Sequence, residues 1–405
     1  MLFGAGSKEL GFRKETIEEE DVGFMQLAGL YPLTRGYTAY YFISFILCTT
    51  LMEGMIVGSY LEGEVDTSLE TAHVLLIGLN MFTQICTHRY YYDIVNKLLR
   101  AIDDNFFSYG DTMDEDTKQM FGKVFKIQVS SAAIAITFQR PILYVLNGRG
   151  VKDVDGENWL IYQSPFGILV PFSNYWVPYV FGMVLVVNQV ITTSITAMAT
   201  ATSFVRFSEE LLHQLEIVKL GLGNFMFRAR HLHSLRYNQS KESGEQDKHL
   251  DKCILTCLSK SVEHHAIIIK LFGDFKNMMY IPLFTVIFDG SVLICMSAVQ
   301  LITSKNPIVR MSMPPFIVAE LYYTYLYCSY AEKLTNMFSE IGDQMYLDDW
   351  LKHSKIIKPF ITIIKAYSFY PKKLSAGGFT SPNLEKFGGV LRTAYSLLNF
   401  LATRK

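Results

Sequence analysis

Residues 381–405 read SPNLEKFGGVLRTAYSLLNFLATRK, and the placement of this stretch decides the fold. It has the length of one bilayer crossing, about 20 residues. It also carries Lys386, Arg392, Thr393, Ser396, Asn399 and Thr403, which hydrocarbon penalises. Ser381 is predicted as its N-cap and Pro382 as its first helical residue, where a missing N–H costs nothing. At about 100° per residue, Lys386, Gly388, Gly389, Arg392, Thr393, Ser396, Asn399, Thr403 and Arg404 share one half of the helix. Phe387, Val390, Leu391, Ala394, Tyr395, Leu397, Leu398 and Leu401 take the other half. Such a helix either packs its polar face against its own chain or turns it to water. One helix cannot enclose a lumen, so the second arrangement needs several copies or related chains around a common path. Phe400 interrupts the polar half near its far end, with the position and character of a dewetting gate.

The rest of the chain supports a membrane reading. Its 405 residues are 50% hydrophobic and only 19% charged, with 14% aromatics and a mean hydropathy of +0.20, which is greasier than soluble domains. A formal net charge of -1 with no basic stripe excludes a general nucleic-acid partner. Cys48, Cys86, Cys253, Cys257, Cys295 and Cys328 do not form the pattern of a secreted disulfide framework. Cys253 and Cys257 lack a second pair at zinc spacing and read as small residues on one helix face. No metal or cofactor is expected.

Six internal stretches have crossing length: Gly36 to Leu61, Thr71 to Thr87, Ile127 to Leu146, Phe166 to Val205, Lys276 to Ser304 and Met311 to Tyr330. The closing helix makes seven. No charged residue occurs between Glu157 and Arg206, so the fourth crossing is expected to tilt or to begin in the outer loop. Alternate connections carry 25 against 6 Lys and Arg residues, which places the N-terminus in the cytosol and the C-terminus outside. The predicted fold is therefore an all-α integral membrane protein with seven transmembrane helices and long helices extending into a cytosolic anchor domain. Asn238-Gln239-Ser240 is then a cytosolic, unglycosylated sequon.

The expected organisation is a cytosolic segment over 1–35, four crossings over 36–205, cytosolic helical extensions over 206–275, and two crossings over 276–332. A cytosolic amphipathic helix over 333–378 and a pore-lining crossing over 379–405 complete it. Phe207, Leu211, Leu215 and Val218 share one helical face, as do Leu250, Ile254, Leu258 and Val262. A disordered linker is expected near 221–248, on the polar composition of NQSKESGEQDK.

Catalytic patterns are missing: the histidines lack HExxH spacing, and no G-x-S-x-G or phosphate-cradling glycine loop occurs. An enzyme is not expected. Glu53, Arg140, Asp289 and Glu320 lie inside crossings and are either functional or structurally paired. The topology puts His73, Leu76, Phe138, Tyr144, Tyr175, Trp176, Tyr179, Met183, Phe288, Leu293, Tyr322, Tyr323 and Tyr325 in the outer halves of the crossings. An aromatic, nearly uncharged cavity there suits a small volatile ligand. Aromatics at such sites also serve packing and the interfacial belt.

Tyr346 to Leu401, containing YLDDW, SFYPKKLSAGGFTSPNLEKF and LRTAYSLLNFL, resembles the C-terminal signature of insect odorant receptors. YTYLYCSYAEKL at Tyr323 to Leu334 is similar to their sixth-helix motif. The resemblance implies an odorant-gated, non-selective cation channel in the plasma membrane of an olfactory neuron dendrite, built as a tetramer of odorant-tuning subunits with the shared co-receptor, Orco. It implies odorant bound among helices two to six. It further implies a central pore lined by the last helix, here Lys386, Gly389, Thr393, Ser396, Phe400, Thr403 and Arg404. The co-receptor has an aliphatic residue where this chain has Phe400, and its long insertion between crossings four and five is absent, so the resemblance implies a tuning subunit. The alternatives are a gustatory-receptor-like channel, whose TYhhhhhQF ending TAYSLLNFLATRK loosely approaches, and a G-protein-coupled seven-helix chemoreceptor. THRYYYD at Thr87 to Asp93 resembles an arginine switch but follows the second crossing. A transporter would call for a repeat relating the halves, and none is seen.

Overall fold

The computed structural model describes residues 65–103, 151–152, 161–162, 176–237, 243–304, 307–344, 350–369 and 372–402, together with helical positions between 42 and 61. Its helices are α1 (Val65–Tyr90), α2 (Tyr92–Asp103), α3 (Trp176–Gly223), α4 (Phe225–Tyr237), α5 (Ser243–Thr303), α6 (Pro307–Gln344), α7 (Ser354–Phe369) and α8 (Leu384–Ala402). A two-residue hairpin, β1 (Val151–Lys152) with antiparallel β2 (Ile161–Tyr162), falls in the expected outer connection. The expected segment 1–35 and the third crossing, Ile127 to Leu146, lie outside the described residues. The first crossing is represented by Phe45, which stacks on Phe82 of α1 at 4.1 Å.

α3 and α5 are the long members. At 1.5 Å per residue their 48 and 61 residues give rods of about 70 and 90 Å, two to three times a hydrocarbon core. Both continue without a break through the predicted ends of their crossings, because Leu211, Leu215 and Val218 on α3 and Ile254 and Leu258 on α5 are fully buried at helical spacing. Where the two rods and α6 meet, Phe204 stacks on Tyr327 at 4.3 Å and on Phe275 at 5.8 Å. Phe207 closes edge-on against Phe275 at 6.2 Å. Removing any one of these buried rings costs on the order of 3–5 kcal/mol.

Two expectations need correction. The linker near 221–248 contains a helix, α4, which buries Phe225, Met226 and Ala229 and tucks Arg228 under them. The Arg228 guanidinium donates to the Gly221 carbonyl at 3.3 Å and to Ser261 Oγ at 3.4 Å, so a basic stretch that reads as solvated supplies packing. α3 is described from Trp176 onward, and residues 166–175 of the expected fourth crossing lie outside the described residues. The amphipathic stretch after residue 333 is divided: its first part completes α6, a 3-10 turn spans Trp350–His353, and only Ser354–Phe369 forms the separate helix α7. α7 buries Ile357, Ile361 and Ile364, a helical i, i+4, i+7 row.

The distal ends of α3, α5 and α6 are joined by charge and hydrogen bonds. Lys219 pairs with Glu340 at 2.8 Å, Lys365 with Asp343 at 2.9 Å, and Lys97 with Asp274. These pairs are partly exposed and each contributes little. A buried chain runs from His264, whose Nε2–H donates to Gln214 Oε1 at 3.0 Å, through Gln214 Nε2–H to Glu210 Oε1 at 2.7 Å. Burial, with the neighbouring His265 second, lowers the His264 pKa to about 3. Burial, with Lys372 second, lowers that of His265 to about 4. Both rings are therefore neutral when folded and protonated when unfolded between about pH 6.5 and 4. Their stabilisation is complete above the unfolded pKa and is lost as pH falls below it, by up to about 1.4 kcal/mol per pH unit per ring. The thermal midpoint of the detergent-solubilised protein is expected to drop between pH 7.5 and 5.0. His264→Gln, which keeps a donor for Gln214 and cannot titrate, should flatten that slope; an unchanged slope refutes the assignment.

Candidate functional site

α5 and α6 run antiparallel, and a buried polar cluster lies where they meet α1 and α3. His73 on α1 is buried, its Nδ1 3.4 Å from Ser297 Oγ on α5 and its ring edge-on to Phe316 of α6 at 5.5 Å. Deeper along α6, the Tyr323 hydroxyl is 3.2 Å from both Thr200 Oγ1 of α3 and the Tyr327 hydroxyl. Thr200 spends its proton on the Ala197 carbonyl at 3.1 Å. Thr200 therefore accepts from Tyr323, and Tyr323 accepts from Tyr327. This gives a directed row of hydroxyls that joins α3 to α6.

Of the predicted ligand residues, the structure brings His73 and Tyr323 to the interior and leaves Leu76 half-buried. Phe288 is 56% exposed and stacks on Phe284 at 5.5 Å, while Tyr322 and Tyr325 face outward. Tyr179 and Met183 lie in the first turns of α3, with side chains outside the described residues, as are Phe138, Tyr144 and Tyr175. Ser297, Phe316, Thr200 and Tyr327 were not selected from sequence. The Tyr323-x-x-x-Tyr327 spacing was the available signal for one pair. Asp289 and Glu320 are half-buried electrostatic neighbours across α5 and α6, Glu53 is exposed, and Arg140 lies outside the described residues.

α8 begins two residues later than predicted. Its N-cap is Asn383, not Ser381: Asn383 Oδ1 accepts from the Lys386 N–H at 2.9 Å, and the Asn383 carbonyl accepts from the Phe387 N–H at 3.1 Å. Asn383 wins because its side chain reaches the third helical N–H, and Pro382 is buried in the approach. Ahead of it, Gly377 and Gly378 adopt φ of 59° and 79° and turn the chain so that Ala376 pairs with Thr380. The Gly377 N–H donates to the Tyr280 carbonyl at 2.9 Å, two residues before Pro282 of α5. This docked turn fixes where α8 starts.

The helix phase follows. Ala394 is buried and Phe387 and Val390 are half-buried, whereas Lys386, Gly389, Thr393, Ser396 and Phe400 are all exposed. Leu391 and Tyr395 of the other half are exposed as well and Gly388 is half-buried, so α8 rests on the bundle through a narrow strip around Phe387, Val390 and Ala394. Thr393 donates its hydroxyl proton to the Gly389 carbonyl at 3.0 Å, which leaves its oxygen lone pairs facing out. Thr403 and Arg404 lie outside the described residues. Among the described residues, α5 is the one helix that holds an 18-residue stretch apolar enough to cross a membrane; α6 and α8 carry polar faces.

The described residues form an all-α bundle built on one apolar spine. The sequence profile of the 7tm Odorant receptor family matches residues 79–395, and the chain belongs to that family. It is 28% identical over 119 residues to odorant receptor 67a of Drosophila melanogaster, covering 29% of each chain. It is 24% identical over 147 residues to odorant receptor 83a of the same organism, covering 35% of this chain and 32% of that one. The matched stretch is thus about a third of these relatives' length. Among solved structures it resembles the olfactory receptor OR5 of Machilis hrabei, with a TM-score of 0.71 at 11% identity. The same receptor in complex with eugenol gives 0.66 at 12% identity; in both, 96% of this chain and 97% of the other are covered. The fold is that of an all-α membrane protein of this receptor class.

The docked turn makes a test. A Cβ on Gly378 would sit in the left-handed region and 2.6 Å from the Tyr280 hydroxyl, so Gly378→Ala is expected to cost roughly 1–2 kcal/mol. A lower thermal midpoint that Tyr280→Phe partly restores is the expected outcome. An unchanged midpoint in Gly378→Ala shows the turn undocked.

Proposed function

We propose that the chain is an odorant-binding tuning subunit of a heterotetrameric, ligand-gated, non-selective cation channel of the plasma membrane, assembled with the co-receptor Orco, and not an enzyme. The observation that carries this reading is the outward polar face of α8. A crossing helix with Lys386, Thr393 and Ser396 turned from its own bundle needs water or a partner's polar face opposite it. Four such helices around an axis supply both. Phe400, on the same face near the far end, is the constriction, and Thr403 and Arg404 continue the path.

The ligand is a small volatile of low polarity. His73, Leu76, Phe316 and Tyr323 form the part of the cavity nearest the hydroxyl row, and Tyr175, Tyr179, Met183, Phe138 and Tyr144 are assigned to its remaining wall. Phe288, Tyr322 and Tyr325 are assigned to its rim. Eugenol, with which OR5 of Machilis hrabei was solved in complex, carries one hydroxyl of the kind that row would orient. The charge distribution of the connections supports a cytosolic N-terminus and an extracellular C-terminus, with α4, α7 and the distal halves of α3, α5 and α6 as the cytosolic anchor.

Cells expressing the chain with and without the co-receptor, challenged with a panel of volatiles that includes eugenol, test the function. Odorant-evoked cation current is expected only with both chains. Thr393→Cys and Ser396→Cys should be modified by a water-soluble methanethiosulfonate, with at least half the current blocked, while Ala394→Cys is protected. Odorant responses without ion flux through the complex, or an N-terminal epitope reached from outside intact cells, overturn the reading.

A further inference from the structure

The polar seam that α5 and α6 share holds two acids that the hydroxyl row does not use. On α6, Phe316, Glu320, Tyr323 and Thr324 recur at helical spacing on one side of the helix. Phe316 carries the contact to His73, and Tyr323 carries the bond to Thr200, so Glu320 lies along α6 between those two contacts. Across the seam, Asp289 of α5 is the electrostatic neighbour of Glu320, and Tyr323 is the next. Among the described residues, no cation and no hydrogen-bond donor faces either carboxylate. Unpaired acids inside crossings are costly, and they mark ligand and ion sites. A second, independent observation falls at the same level. Thr324 is fully buried, and its Oγ1 lies 2.9 Å from where a Cβ on Gly290, the neighbour of Asp289, would stand. Thr87, Thr196 and Thr393 donate their hydroxyl protons to the carbonyl four residues back. Thr324 does not, and its oxygen has no hydrogen-bond partner. A buried hydroxyl left in that state costs free energy that a bound group would relieve.

We propose that Asp289, Glu320 and Thr324 form a recognition site for a small volatile amine, held as its ammonium ion. The proposal deepens the receptor reading above and rests on it for the nature of the ligand. An ammonium group offers three N–H donors and no acceptor. Two carboxylates and one hydroxyl, contributed by α5 and α6, supply the acceptors it needs. Charge-assisted hydrogen bonds of this type are the short, strong ones, and they strengthen where water is scarce. A metal ion fits the same oxygens poorly. Among the described residues, no group of three or more His, Cys, Asp and Glu side chains is placed to hold one, whereas a hard cation takes about six or more oxygen ligands. Phe316 and Tyr323 flank Glu320 on α6 and present ring surface to the apolar body of an amine, with the attraction of a ring face for its charge. Gly290 gains a reason as well: a side chain there would strike Thr324 Oγ1 and hold α6 away from Asp289.

Pairs of equal shape that differ in the ammonium test the site: isoamylamine against isoamyl alcohol, and phenethylamine against phenethyl alcohol. On the purified full-length chain, each amine should raise the thermal midpoint, and its alcohol should not. Asp289→Asn, Glu320→Gln and Thr324→Val should each weaken amine binding about tenfold or more. Their midpoints without ligand should hold level or rise, because none of the three changes removes a hydrogen bond present in the chain. Amine and alcohol acting alike, sodium chloride stabilising as the amine does, or unchanged amine binding in all three variants overturns the proposal. A lowered midpoint without ligand in both acid variants also overturns it, because the acids would then hold the seam together. In cells that co-express the co-receptor, the amines should evoke current, at a half-maximal concentration about tenfold higher in Glu320→Gln. If no volatile evokes current from the unsubstituted chain, the channel reading fails and the binding measurement alone decides the amine site.

Discussion

α5 touches all seven other described helices, and the fold is organised by what that single rod can bury. Along its length Ile254, Leu258, Phe272, Phe275, Met278 and Leu283 are essentially inaccessible, so its apolar face never reaches a point at which the chain could end it cheaply. The consequence is continuity. A rod about three bilayer thicknesses long cannot flex as two halves unless something interrupts its hydrogen-bond ladder, and among the described residues the one such interruption inside it is Pro282. A ring at that position leaves the Met278 carbonyl without its usual donor, and the Gly377–Gly378 turn docks on the neighbouring carbonyl of Tyr280. The break in the spine and the seat of the last helix are therefore the same place.

This arrangement confines where ligand energy can act. A ligand moves an equilibrium only by its different affinity for two arrangements, and a coupling of about 2 kcal/mol shifts populations roughly thirtyfold. The hydroxyl row joins α3 to α6, the Tyr330 hydroxyl donates to Glu209 at 2.7 Å one turn beyond it, and the aromatic stack of Phe204, Tyr327 and Phe275 holds all three rods below. Motion of α6 relative to α3 is resisted by dense packing at that level. The other side of α6 meets α8 through one ring contact and backbone-directed bonds, which tolerate rotation about the contact more readily than interdigitated rings do.

The sequence disclosed elements more faithfully than faces. Helical periodicity placed α3, α5 and α6, and the segregation of Lys386, Thr393 and Ser396 from Ala394 on α8 was legible because a single helix carries its own angular record. Which of Phe288, Tyr322, Tyr323 and Tyr325 turns inward was not legible: all four are aromatic, and the phase is set by α3 and α1, hundreds of ångströms of chain away in extended form. The N-cap was misread for a related reason. Ser381-Pro382 has the local chemistry of a helix start, but the Ala376–Thr380 turn holds the chain on α5 for two residues more, and Asn383 takes over. α4 was hidden by composition, since Arg228, Arg230 and Arg236 dilute its apolar face and only the burial of Phe225, Met226 and Ala229 against α5 makes it a helix.

The start of α8 is fixed from two directions. Asn383 caps it from within the chain, and Glu332 of α6 accepts the Leu384 N–H at 2.7 Å. A carboxylate at that point meets both a backbone donor that the helix cannot satisfy internally and the positive end of its dipole. The Tyr325 ring of α6, edge-on to Phe387 at 5.6 Å, adds a contact one turn along, so the two helices keep a single register where they touch.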